Sequence, residues 1–168
     1  VNVWDALADL LVCAENELIT MGRPADRVLV MPGNTIVEDN CCENGGQLWT
    51  RLITTWPVNP LPVKDGTLTN CGHTQWGHLI AVGVSRCAHT MPDYSTEPPT
   101  VEEMTADAYG VICDQGALLR AICCAFQDEA YVIDRFDPGG PSGGCVRAEW
   151  RLWVQANLVD CTQSPGDS

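Results

Sequence analysis

Three things are missing from this chain: a long hydrophobic run, a basic cluster and any C-x-x-C pair. No apolar stretch approaches the roughly eighteen residues of a membrane span. No lipidation motif is present either, so no membrane is expected among the partners. The N-terminus has no basic region leading into an apolar stretch, and no secretory signal is read there. Nine Lys+Arg stand against 22 Asp+Glu, a net charge of −13. Nucleic-acid binders neutralise phosphates with Lys and Arg, so stable DNA or RNA binding is not expected. A surface of this sign repels DNA and lets it slide past, although simple solubility is the plainer reading. Structural zinc draws on C-x2–4-C pairs. Here the pairs are adjacent, Cys41-Cys42 and Cys123-Cys124, with a lone Cys71-x-His73, and no metal or other cofactor is expected.

What the chain does have is cysteine, ten in 168 residues. Cys13 and Cys113 fall among apolar helical positions and read as buried thiols. Cys41, Cys42, Cys71, Cys87, Cys123, Cys124 and Cys145 lie at element ends or in loops and are the candidates for disulfides. Their connectivity is open.

The rest is organised around Cys145–Leu158, read as one long strand. Val146, Ala148, Trp150, Leu152, Val154, Ala156 and Leu158 fall on one face, and Cys145, Arg147, Glu149, Arg151, Trp153, Gln155 and Asn157 on the other. Tyr131–Phe136 reads as its hairpin partner, joined through a loose Asp137–Gly144 tip. Upstream, Asn2 caps a helix to Glu17 with a stripe of Trp4, Leu7, Ala8, Leu11, Ala14 and Leu18, stopped by Gly22-Arg-Pro24. Arg27–Met31, Gln47–Trp56 and His78–Cys87 read as strands. In the last, Leu79, Ala81, Gly83, Ser85 and Cys87 make a small face that would admit a helix. Loops are read at Glu38–Gly46 and Pro57–Gly77. Thr100–Phe126 is the main helix, opened by a Thr100/Glu103 capping box and striped by Val101, Met104, Ala108, Val111, Ile112, Leu119, Ile122 and Phe126. Gly110 and Gly116 within it mark close packing or a bend. The order α-β-β-β-α-β-β predicts one α+β domain over 1–158, with about five mostly antiparallel strands and two helices packed on one face. A polar, mobile tail is expected over 159–168.

Little in this pattern suggests bond chemistry. Gly140-Pro-Ser142-Gly-Gly144 matches G-x-S-x-G, but a strand follows where the nucleophile elbow needs a helix, and no His lies C-terminal to the serine. A cysteine nucleophile would need a partnered base, and only His73, His78 and His89 are available. No catalytic residue is assigned. Trp153, alone and aromatic on the polar face, reads either as covered by its own chain or as a subunit contact. Trp49, Trp56 and Trp76 are open to the same two readings. With Arg147, Arg151 and the turn residue Gly143, these tryptophans are the candidate interface residues.

Three segments in order carry a resemblance. They are Cys41-Cys-Glu-Asn-Gly-Gly-Gln-Leu-Trp49 running into Arg51-Leu52, Val82-Gly-Val-Ser-Arg-Cys-Ala88, and Gly139-Gly-Pro-Ser-Gly-Gly-Cys145 with Glu149-Trp150. Between the last two sits the helix with Ala121-Ile-Cys-Cys124. Together they resemble the head-to-tail connector family of long-tailed actinobacteriophages, most of all its tail-terminator members, over roughly Gln47–Val154. Ser85 and His89 stand where the family has leucine and proline. The resemblance implies a virion protein in the neck, made in the host cytoplasm and forming a homo-oligomeric ring of six. Its implied partners are the major tail protein and a head-to-tail stopper ring, with DNA passing through the lumen. Particles end outside a reducing cytoplasm, where disulfides persist. Closed rings use two different patches per subunit; the polar face of Arg147–Asn157 and the loop Pro57–Gly77 are the expected pair. Competing classes are another neck ring (stopper or adaptor), a thiol or metal enzyme, and a monomeric disulfide-linked binding module.

Overall fold

Asn2 starts the first helix as its sequence suggests, its side chain accepting from the Asp5 amide at 2.9 Å. A computed structural model of the chain describes residues 1–33, 35–36, 41–42, 45–64, 75–90 and 97–158. The expectations placed on Cys71, His73, half of the two long loops and the 159–168 tail lie outside those residues. Helix α1 (Val3–Thr20) ends in a Schellman motif. Gly22 takes φ +69°, its amide reaches Ile19 O at 2.9 Å, and the Arg23 amide reaches Leu18 O at 2.8 Å. Its inward face is Val3, Ala6, Leu7, Leu10, Ala14 and Leu18. The expected stripe shares Leu7, Ala14 and Leu18 with this face but also placed Trp4, Ala8 and Leu11 inward, and Trp4 is 42% exposed. The helix is turned because it must face both α2 and the sheet.

Strands β1 (Arg27–Met31), β2 (Gln47–Pro57), β3 (Trp76–Cys87), β4 (Tyr131–Ser142) and β5 (Cys145–Ala156), with helix α2 (Val101–Ala125), complete the fold in the order α-β-β-β-α-β-β. One sheet runs β1-β2-β3-β5-β4. Only β1 and β2 are parallel; the other three pairings are antiparallel. Both helices lie on the same face, over Leu48, Ile80, Val82, Val84, Ala148, Leu152 and Val154. The apolar face expected of the last strand is therefore the core face. The small face of β3 does not receive a helix. Trp49 lies over it instead, so close that a Cβ on Gly83 would stand 2.6 Å from the indole.

The β4–β5 hairpin is tighter than the loose tip expected. β4 continues to Ser142, and the turn is Gly143-Gly144, at φ +57° and +82°. Two positive φ values in a two-residue turn match the strand twist, which is why glycine occupies both positions. At the other end of β5, the Val3 amide donates to Asn157 O and the Asn157 amide to Val1 O, both at 3.1 Å.

Three disulfides tie these parts together. Cys13–Cys124 joins the two helices, Cys41–Cys145 reaches the start of β5, and Cys42–Cys87 reaches the end of β3. Two expectations are corrected. Cys13 is bridged rather than a lone buried thiol, because the inward turn of α1 brings it to α2. Cys123, expected to bridge, is a free and exposed thiol, while its neighbour Cys124 takes the partner. Cys113 is free as expected and only partly buried.

Candidate interaction surface

The helix-free face of the sheet carries Trp49, Trp56, Arg147, Arg151 and Trp153, while Trp76 pairs with core Ala156 on the helix side. Here the chain supplies its own partners. Glu149 on β5 is 1% exposed and Arg51 on β2 is 2% exposed, paired at 2.9 Å. Arg151 Nε contacts Glu149 and also Asp137 on β4, each at 2.9 Å. Arg135 closes the row on Asp137 at 3.0 Å, which holds its guanidinium above the ordinary arginine range. A ladder of alternating charge thus crosses β2, β5 and β4, grading from buried to exposed.

The tryptophans are settled the same way. Trp49 is fully buried and Trp153 is 7% exposed. Trp153 stacks on Trp56 with centroids 4.1 Å apart, and Lys64 lies 5.8 Å over the Trp56 ring. Trp49 and Trp153 are thus buried within the chain itself, under side chains of neighbouring strands. Trp56 and Trp76 are half-buried, as are Arg147 and Arg151, and Gly143 is exposed at the hairpin turn. Gly139 faces Arg147 so closely that a Cβ there would lie 2.9 Å from the arginine's own.

What the chain leaves uncovered is on α2. Its C-terminal half is packed, with Ala117, Leu118, Ala121 and Ile122 buried. Its N-terminal half is not. Val101 is 76% exposed, Met104 60% and Ile112 61%. These residues belong to the stripe that sequence periodicity assigns to a core face. An 18-residue window of this helix has mean hydropathy 1.2, yet only 28% of it is buried. Beside the stripe lies a trough of about 950 Å³, walled by Met104, Ala108, Val111 and Ile112 on one side and by Phe136 and Pro138 of the hairpin on the other. Contiguous exposed apolar surface of this kind marks interaction sites in folded proteins.

The helix is fixed in place at both margins of the trough. At its N-terminus the capping box is formed, with Thr100 N donating to Glu103 at 2.8 Å. That bond, with the Thr100 hydroxyl, holds the Glu103 carboxyl below its ordinary pKa. His89 on the incoming connector donates its amide to Asp107 at 2.8 Å, and its Nδ1 lies 2.8 Å from the same carboxylate. Midway, Asp114 is 2% exposed and receives Arg23 Nε at 2.9 Å and Arg86 Nε at 2.8 Å. Bonding to Asp114 raises the Arg23 pKa. Gly110 lies against the Arg23 guanidinium, with its virtual Cβ 3.0 Å from it, in keeping with the close packing expected there. Gly116 meets only Arg120, at 3.7 Å.

His78, the remaining described imidazole, is buried beneath the core face. Its Nε2 lies 3.1 Å from Ala156 O and its Nδ1 lies 2.9 Å from the Thr55 hydroxyl. A carbonyl can only accept, so Nε2 carries the proton and Nδ1 accepts from threonine. Burial pushes its pKa down, partly offset by the carbonyl. Both ring nitrogens are used structurally. Sequence reasoning missed Asp114 and the Arg51–Glu149 pair, since paired charges deep in a fold leave no periodic signal. Of the α2 stripe it expected, Ile122 and Phe126 are buried, while Val101, Met104 and Ile112 are exposed and the packed face runs through Ala117, Leu118 and Ala121. No protein-family model and no curated protein matches the chain.

Proposed function

We propose that this chain is a structural subunit of a phage neck, a tail-terminator ring that caps the tail tube, joins it to the head-side connector and leaves a channel for DNA. The reading rests on the family resemblance of the sequence. The observation that carries it is the uncovered apolar stripe of α2 beside a walled trough, a surface suited to being covered by another chain. The charge supports the same reading. All nine basic side chains have partners at home: Arg23, Arg51, Arg86, Arg120, Arg135 and Arg151 in ion pairs, Lys64 over Trp56, and Arg27 and Arg147 in further contacts. A subunit most of whose few cations already have acidic or aromatic neighbours presents no basic patch to DNA phosphates. On this reading six copies form the ring, with the major tail protein below and a stopper ring above, in a virion assembled in the host cytoplasm. The protein works by contact, making and breaking no bond.

Negative-stain imaging of the purified chain with assembled tail tubes tests the proposal. Six-fold rings at tube ends are expected. A chain that stays single in the presence of tubes would sink it. Rings that bind the head-side connector and ignore tubes would move the assignment to a stopper or adaptor.

A further inference from the structure

We infer that the trough between α2 and the β4–β5 hairpin docks a segment of a different polypeptide, one that is apolar on one side and carries lysine or arginine on the other. This goes beyond the neck reading and does not depend on it. The apolar half of the inference comes from the walls. Met104 and Ile112 are 60% and 61% exposed on a helix whose other half is packed, and Phe136 and Pro138 face them across the trough.

The basic half comes from the margin and from the balance of charge. Glu102 and Glu103 stand in the first turn of α2, and Asp107 lines the trough. Among the described residues no lysine or arginine lines it; His89 is the one basic-type side chain there, and it already faces Asp107. A second copy of this chain is a poor occupant. It has nine Lys+Arg in all, and each has a partner within its own fold. Bringing another net charge of −13 against an acidic margin adds repulsion, and its cations are already engaged within its own fold. The complementary occupant therefore comes from another protein with unpaired cations.

The test uses the intact, oxidised chain and two synthetic amphipathic helices. Both carry leucine on one face; one carries lysine on the other face and one carries glutamate. The lysine peptide is expected to bind saturably, with methyl resonance shifts confined to Met104, Val111 and Ile112. Its affinity should fall as salt rises and the margin is screened. Replacing both Met104→Ser and Ile112→Ser should weaken it about tenfold or more, as loss of a central apolar anchor does, with unfolding midpoint unchanged because both side chains are exposed. Asp107→Asn should weaken it less. Three results would overturn the inference: equal binding of the glutamate peptide, lysine-peptide shifts spread over the acidic surface and indifferent to the double serine variant, or sedimentation showing self-association that the same variant abolishes. Tube-end rings are read separately by imaging, and a peptide result of any kind leaves that readout to be taken, so failure here and failure of the neck reading are separable.

Discussion

Asp114 on α2 is tied to both the end of α1 and the end of β3. Its carboxylate accepts from Arg23, delivered by the Schellman end of α1, and from Arg86 at the end of β3. Arg86 in turn donates to Pro24 O, Gly45 O and Arg23 O. Removing one partner of a buried charge cluster strands the others. Asp114→Ala is therefore expected to cost about 3–5 kcal/mol, read from urea unfolding midpoints at constant slope. His78 sets a pH limit. Its folded pKa lies below the ordinary 6.5, so the unfolded chain takes up the proton first. The stability it contributes is complete above about pH 6.5 and is lost as pH falls through the folded value. Between about pH 7.5 and pH 5.5 the wild type should lose more stability than His78→Gln; equal losses would refute the role given to the ring. Sequence made the capping box at Thr100 and the N-cap at Asn2 legible because both depend on neighbours three residues away. The partners of Asp114 lie 91 and 28 residues distant, which only the fold can bring together.

At the scale of elements, alternation and periodicity located every helix and strand, and the ends moved by no more than a few residues except where β4 ran on into the glycine-rich tip. A pattern with period two says which residues share a face, not what covers that face. That is why the polar side of β5 looked like an outward surface. Its charges are answered by Arg51 and Asp137, and Trp153 by Trp56. The same logic makes Gly83 intolerant of a side chain. Gly83→Ala drives a Cβ to 2.6 Å from a buried indole, and overpacking of this kind should cost about 1–3 kcal/mol, visible as a lower thermal midpoint with the tryptophan emission altered. The two helices are held by Cys13–Cys124, which spans 111 residues. Cys13→Ser with Cys124→Ser is expected to cost about 2–5 kcal/mol. In the folded, oxidised chain, alkylation should reach exposed Cys123 ahead of partly buried Cys113; the reverse order would contradict their placement.

Taken whole, the molecule divides its surface by sign and polarity. Most of its few cations are paired with its own acids, the excess charge is negative, and a stretch of uncovered apolar helix sits beside a trough at the hairpin end of the sheet. The Cys13–Cys124 bridge gives this body an unusual response to load. Traction applied at the two chain ends would travel from residue 13 directly across sulfur to residue 124. The intervening segment, a sequence separation of 111 worth about 370–400 Å of extended chain at roughly 3.3–3.6 Å each, would stay slack outside the line of tension. In a tether experiment the oxidised protein should therefore pay out far less length than its reduced form, the missing length being that of the bypassed segment.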